Sequence, residues 1–156
     1  MANLITPQQA ITLAFTDGEY LPAETISETL ITAAEERHLV PVMGQVLYAR
    51  LIAGAYPDLK SLAAPAAALF TRLLLQPNLN IRTGRFGTTA PRSSSWEPAA
   101  EQSLNQATKA LRRQAALHLR RLSRHLDAHS ADYPEYDPDT NILHHCTIHG
   151  DLIQTF

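Results

Sequence analysis

Apolar positions in the first eighty residues recur at helical spacing, in runs cut by proline and glycine. "TPQQAITLAFTDG" predicts a first helix. Thr6 is placed to cap it, Pro7 suits the first helical position, Gln9 completes a capping box, and Gly18 is the expected stop. "LPAETISETLITAAEERHLVP" predicts a second helix, started by Pro22 or by Thr25 with Glu28 three residues on. Ile26, Leu30, Ala33 and Ala34 fall on one face, and the helix ends before Pro41. "VMGQVLYARLIAG" predicts a third helix, closed by Gly54. "YPDLKSLAAP" reads as a turn with a short helical piece. "PAAALFTRLLLQP" reads as a fourth helix bracketed by Pro65 and Pro77.

The helical pattern then lapses. "NLNIRTGRFGTTAPRSSS", residues 78–95, carries Gly84, Gly87, Pro91 and three consecutive serines, and predicts a long Gly/Ser loop or a β-hairpin arm. The longest helix follows, from about Glu97 to about Ala128, with Ser94 and Glu97 in a capping-box pattern. Leu104, Leu111, Ala115, Leu119, Leu122 and Leu126 form one apolar stripe at roughly 100° per residue. Lys109, Arg113, Arg120 and Arg124 lie opposite it. After this helix "YPEYDP" reads as extended, and "NILHHCTI" and "LIQTF" as two short strands.

The expected fold is therefore mostly all-α: a bundle of about five helices with a long C-terminal helix. Residues 1–129 form the helical domain, with loop 78–95. Residues 130–156 form an extended tail ending in a short hairpin. The scarcity of aromatics and the supply of Ala, Leu and Ile agree with helices over strands. One cysteine, Cys146, cannot staple the chain internally. "MANLITPQQ" has neither the basic start nor the apolar core of a signal peptide, and the apolar stretch Leu62 to Phe70 is too short to span a bilayer.

Charge changes the picture more than composition does. Formal net charge is −2, yet it is sorted along the chain. Residues 1–60 hold seven acids and three bases, residues 61–126 two acids and ten bases, and residues 127–156 six acids and no base. An acid–base–acid chain can fold its tail onto its own helix, or pair head to tail with copies of itself.

Candidate chemistry is thin. His144, His145, Cys146 and His149 are metal-ligand types, but their spacing matches no zinc pattern, and on a strand His144 and Cys146 would face away from His145 and His149. His125 and His129 are spaced to share an ion, without a carboxylate or cysteine at a matching helical position. Glu35 and Glu36 point apart on a helix and make no acid–base dyad. No hydrolase, zincin, P-loop or dinucleotide-binding motif occurs, so neither catalysis nor a cofactor is expected.

The basic run "KALRRQAALHLRRLSRH" lacks the Trp or Phe of a membrane-surface helix and the aromatics or Asn of a base reader. It is expected to contact acidic protein surface or, non-specifically, DNA phosphate. Arg82 and Arg85 on the loop are expected to join it at an interface.

"ISETLITAAEERHLVPVMGQVLYARL" resembles the N-terminal part of the small helical head–tail connector (adaptor) proteins of tailed bacteriophages and prophages. In that group an "AE" near a helix end precedes an apolar-Pro-x-x-Gly turn and an "LY" helix. The matching positions are Ala34, Glu35, Leu39, Pro41, Gly44, Leu47 and Tyr48. The run from Glu97 to Tyr136 is similar to that group's long helix with its "YP-x-Y" extension; the His-rich end is not a feature of the group. The resemblance implies a helical subunit of a homo-oligomeric ring that docks on portal and tail-completion proteins. It also implies no catalytic residue, no membrane partner, and a place in the bacterial cytoplasm during assembly and then in the virion. The alternative reading is a helical nucleic-acid-binding or regulatory module that uses residues 109–125.

Overall fold

The computed structural model describes residues 2–16, 19, 21–79, 82–84, 87–89, 101–149 and 152–155. The fold is mostly all-α. Helix α1 spans Pro7–Ala14, α2 Glu28–His38, α3 Val40–Met43, α4 Gln45–Ile52, α5 Pro57–Leu79 and α6 Glu101–Ala128. Strands β1 (Arg82–Gly84) and β2 (Gly87–Thr89) pair antiparallel, as do β3 (Cys146–His149) and β4 (Leu152–Thr155). Helix α5 is the hub, packing against α1, α2 and α6. Its buried Ala63, Ala66, Ala67 and Ala68 let those neighbours approach closely.

The first helix forms as its sequence predicts. Thr6 Oγ1 accepts from the Gln9 N–H (3.2 Å), and Gln9 Oε1 accepts from the Thr6 N–H (2.9 Å). It ends at Ala14; Gly18 lies outside the described residues. The second helix starts later than expected. Pro22 caps a short 3-10 turn (Ala23–Thr25), Ile26 is buried in an extended conformation, and Ser27 becomes the cap, its Oγ accepting from Leu30 N–H. Burying Ile26 in that conformation displaces Thr25 from the capping position.

The prolines meet expectation only in part. Helix α2 ends at His38, before Pro41 as expected, and Pro41 itself sits in the first turn of α3, where its missing N–H costs nothing. The break falls at Gly44 (φ 83°), so the expected third helix begins at Gln45. Pro65 does not start a helix and Pro77 does not end one: α5 is continuous through both. An interior proline costs about 3 kcal/mol. Burial of Leu59, Ala63, Ala66, Ala67, Leu69 and Phe70 on both sides of Pro65 offsets that cost.

Helix α5 therefore takes Asn78 and Leu79 from the expected loop, and the strand pair of the arm is seen at residues 82–84 and 87–89. Residues 90–100, including the Ser94–Glu97 capping pattern, lie outside the described residues, as does Arg85. On α6, Ala115, Leu119, Leu122 and Leu126 are buried, and Leu104 and Leu111 are half-buried.

The segment after α6 is mostly turns up to residue 145 and not a continuous extended run. It makes three 3-10 turns, Ser130–Asp132, Pro138–Thr140 and Ile142–His144, and buries Tyr133 and Tyr136. His144 is accordingly in a turn and not on a strand, which overturns the face it was expected to share with Cys146. The two tyrosines supply the apolar anchors that make folding back favourable.

Candidate functional site

Three features stand out. The first is the corner from α2 to α4. Ala34, Glu35, Leu39, Leu47 and Tyr48 are all buried. The Leu4 N–H donates to both Glu35 carboxylate oxygens (3.1 Å each), and the Tyr48 O–H donates to Oε2 (2.7 Å). Burial raises the Glu35 pKa above the ordinary carboxylate value despite these bonds. Glu35 is thus the acceptor that fastens the N-terminal segment and α4 to α2. Its sequence neighbourhood gave one clue, an acid beside the apolar Ala34 on the inward face.

The second feature is a groove over the corner's outer edge. His38 stacks on Phe70, with ring centroids 3.9 Å apart and an interplanar angle of 8°. Two adjoining cavities of about 380 and 340 Å³ share Arg37, His38, Phe70 and Arg112 as lining. Leu119, Leu143 and Ile142 continue the apolar wall at one end, and Leu73, Leu74 and Pro77 at the other. Burial, with Arg37 adding repulsion, pushes the His38 pKa down to about 4.

This has a measurable consequence. His38 is neutral in the folded chain at neutral pH, while the unfolded chain binds its proton near the ordinary value of 6.5. Its contribution is present above pH 6.5 and is lost as pH falls towards about 4. At pH 5 the loss is expected to be about 1–2 kcal/mol, allowing for the ring's partial exposure. Urea unfolding of His38→Phe, which keeps a ring on Phe70, should show a correspondingly smaller loss between pH 7 and pH 5.

The third feature is the basic face of α6. Lys109, Arg113, Arg120 and Arg124 are exposed and lie within about 60° of one another around the helix. Arg112 and Arg121 flank them. Among the described residues the ion pairs are Arg50–Glu135 (3.0 Å), Arg72–Glu19 (2.6 Å) and His144–Asp127 (3.0 Å), and none of them involves this face. The acidic tail does fold onto its own body, but Glu135 goes to Arg50 and to the Tyr56 hydroxyl (3.0 Å) on the α4–α5 side. Arg120 and Arg124 instead border a cleft of about 280 Å³ with Ser123, Asp127 and His144. Arg82 is in β1, and its side chain lies outside the described residues.

His125, His129, His144 and His145 are engaged within the protein. The His144 ring reaches the Pro138 carbonyl through Nδ1 (2.9 Å) and Asp127 Oδ2 through Nε2 (3.0 Å). His145 Nε2 reaches the Asp139 carbonyl (2.8 Å). The His125 and His129 rings stack at 4.4 Å, with His125 Nε2 on the Tyr133 hydroxyl. No group of three metal-capable side chains converges among the described residues, which do not include the side chains of Cys146 and His149.

Two acceptors on one ring favour the imidazolium. The Pro138 carbonyl and then Asp127 raise the His144 pKa above 6.5. Its contribution is complete below pH 6.5 and is lost as pH rises through the folded value. A two-dimensional NMR titration should show His144 titrating above 6.5, and Asp127→Asn should bring it back towards that value.

A family model described as a family of unknown function (DUF6712) matches residues 24–145. The match takes in the corner, the groove, the basic face of α6 and the tail turns. No curated protein and no solved structure matches the chain. No helix among the described residues is long and apolar enough to cross a membrane.

Proposed function

The chain belongs to that family of unknown function, and on this premise we propose that it is a structural, non-enzymatic subunit of a tailed-phage or prophage head–tail connector. In this reading it self-assembles into a ring and docks on portal and tail-completion proteins, in the bacterial cytoplasm during assembly and then in the virion. The observation that carries the reading is the basic face of α6. That helix is already anchored by its buried leucines, yet it presents Lys109, Arg113, Arg120 and Arg124 to solvent without an ion-pair partner among the described residues. Acidic side chains are exposed elsewhere, among them Glu24, Glu28 and Glu36 before and along α2 and Asp137 and Asp139 in the tail. Complementary basic and acidic patches on one chain favour head-to-tail contacts, which close into rings when the rotation allows. The Glu35–Tyr48 corner supports the reading as the rigid core of the motif that resembles connectors.

The test sets assembly beside DNA binding. Arg113→Glu with Arg120→Glu is expected to abolish self-association while the far-ultraviolet circular dichroism and melting temperature stay close to wild type, since exposed substitutions cost about 0.5 kcal/mol or less. Raising salt should weaken association, because the Debye length falls from about 10 Å at 0.1 M to about 3 Å at 1 M. Submicromolar binding to duplex DNA, lost in the double reversal while assembly is untouched, would replace this reading with the nucleic-acid-binding module.

A further inference from the structure

The groove over the His38–Phe70 stack meets the exposed stripe of α6 only at Arg120 and carries its own chemistry. Its floor is apolar: Phe70 and Leu119 are nearly buried, Leu73, Leu74 and Leu143 are half-buried, and Ile142 at one end is 37% exposed. Its rim is cationic. Arg37 and Arg112 border both cavities and Arg120 one of them, and none of the three has an ion-pair partner among the described residues. An apolar floor under guanidinium groups matches apolar side chains flanked by carboxylates, because Arg takes carboxylates bidentately and tolerates partial desolvation.

We propose that this groove receives a short acidic segment of a partner protein, its apolar side chains seated on Leu73, Leu74, Ile142 and Leu143 and its carboxylates on Arg37 and Arg112. The proposal does not rest on ring formation. A single-stranded nucleic acid fits less well, because it needs an open aromatic face for stacking, and His38 already covers that of Phe70, which is only 6% exposed. The neutral state of His38 leaves the floor uncharged, so the cations stay on the rim. The lining comes from α2, α3, α5, α6 and the tail turn at Ile142–His144. The Ile142–Leu143 end of the groove therefore exists only when the tail is folded back.

The probe is a fluorescein-labelled helical peptide of about 12 residues, with Leu at every third and fourth position and Glu elsewhere. Anisotropy with the full chain should give a Kd in the range of roughly 10–100 μM, weakening several-fold between about 0.05 and 0.5 M salt. Arg37→Ala with Arg112→Ala should weaken binding about tenfold or more, as should Ala116→Trp, which fills the groove and leaves every arginine in place. Arg113→Glu, outside the groove, should leave the Kd within about twofold and so separates this site from the assembly face. Circular dichroism confirms that each variant is folded. The proposal is overturned by no binding at about 1 mM probe, by equal binding of a Lys-for-Glu peptide or of a single-stranded oligonucleotide, or by wild-type binding to folded Ala116→Trp.

Discussion

Glu35→Ala is expected to lower the unfolding free energy by about 3–5 kcal/mol, enough to unfold much of a marginally stable domain at 37 °C. The side chain is fully buried and is the acceptor for the Leu4 N–H and the Tyr48 O–H. Removing it strands two buried donors at about 1–3 kcal/mol each and opens a cavity between α2, α4 and the N-terminal segment. Glu35→Gln should cost less than half as much, since its carbonyl still accepts from Leu4 and its amide can donate to the Tyr48 oxygen. Gln should also remove a pH dependence. A carboxyl whose folded pKa is raised is fully favourable below its unfolded value and loses that contribution as pH rises through the folded value. Guanidinium denaturation of the two variants at pH 5 and pH 8 measures both effects. Equal losses for Ala and Gln would show that volume, and not hydrogen bonding, holds the corner.

Asn141→Ala should cost about 2–3 kcal/mol and release the tail turns from α6. Asn141 is fully buried. Its Nδ2 donates to Ser123 Oγ and to the Tyr136 oxygen (2.8 Å each), and its Oδ1 accepts from the Leu143 N–H (3.0 Å). Tyr136 in turn donates to Asp127 Oδ1 (2.6 Å), and burial followed by that carboxylate pushes its pKa up to about 12. Asn141→Asp has nearly the same shape but cannot donate, and it sets a second carboxylate beside the Asp127–Tyr136 pair. It should therefore destabilise at least as much as Ala. Hydrogen exchange at Leu143, set against the amides of Leu122 and Leu126, reads the effect. Loss of protection at Leu143 alone is the expected pattern.

Local chemistry was the legible part of this chain. The Thr6–Gln9 capping box and the leucine stripe of α6 are interactions between residues a turn apart, and both can be read from spacing. Pro65 inside α5 could not be read that way, because helix continuity there depends on burial against three other helices. The start of α2 moved to Ser27 for a related reason: Ile26 is needed in the core. Glu35 and Asn141 were not identified as anchors because their partners lie 31, 13 and 18 positions away, and pattern reading does not reach so far. The basic face of α6 was legible as a face. That the acidic tail bypasses it for Arg50 was not, since Tyr56 and Tyr133, packed edge to face at 5.1 Å, set where the tail lands.

Mass photometry with negative-stain imaging of the purified chain at low and high salt tests the central proposal most directly. A discrete oligomer seen as closed rings at about 0.1 M salt, dissociating towards monomer near 1 M, is the predicted result. A monomer at every salt and protein concentration, unchanged by Arg113→Glu with Arg120→Glu, would contradict it.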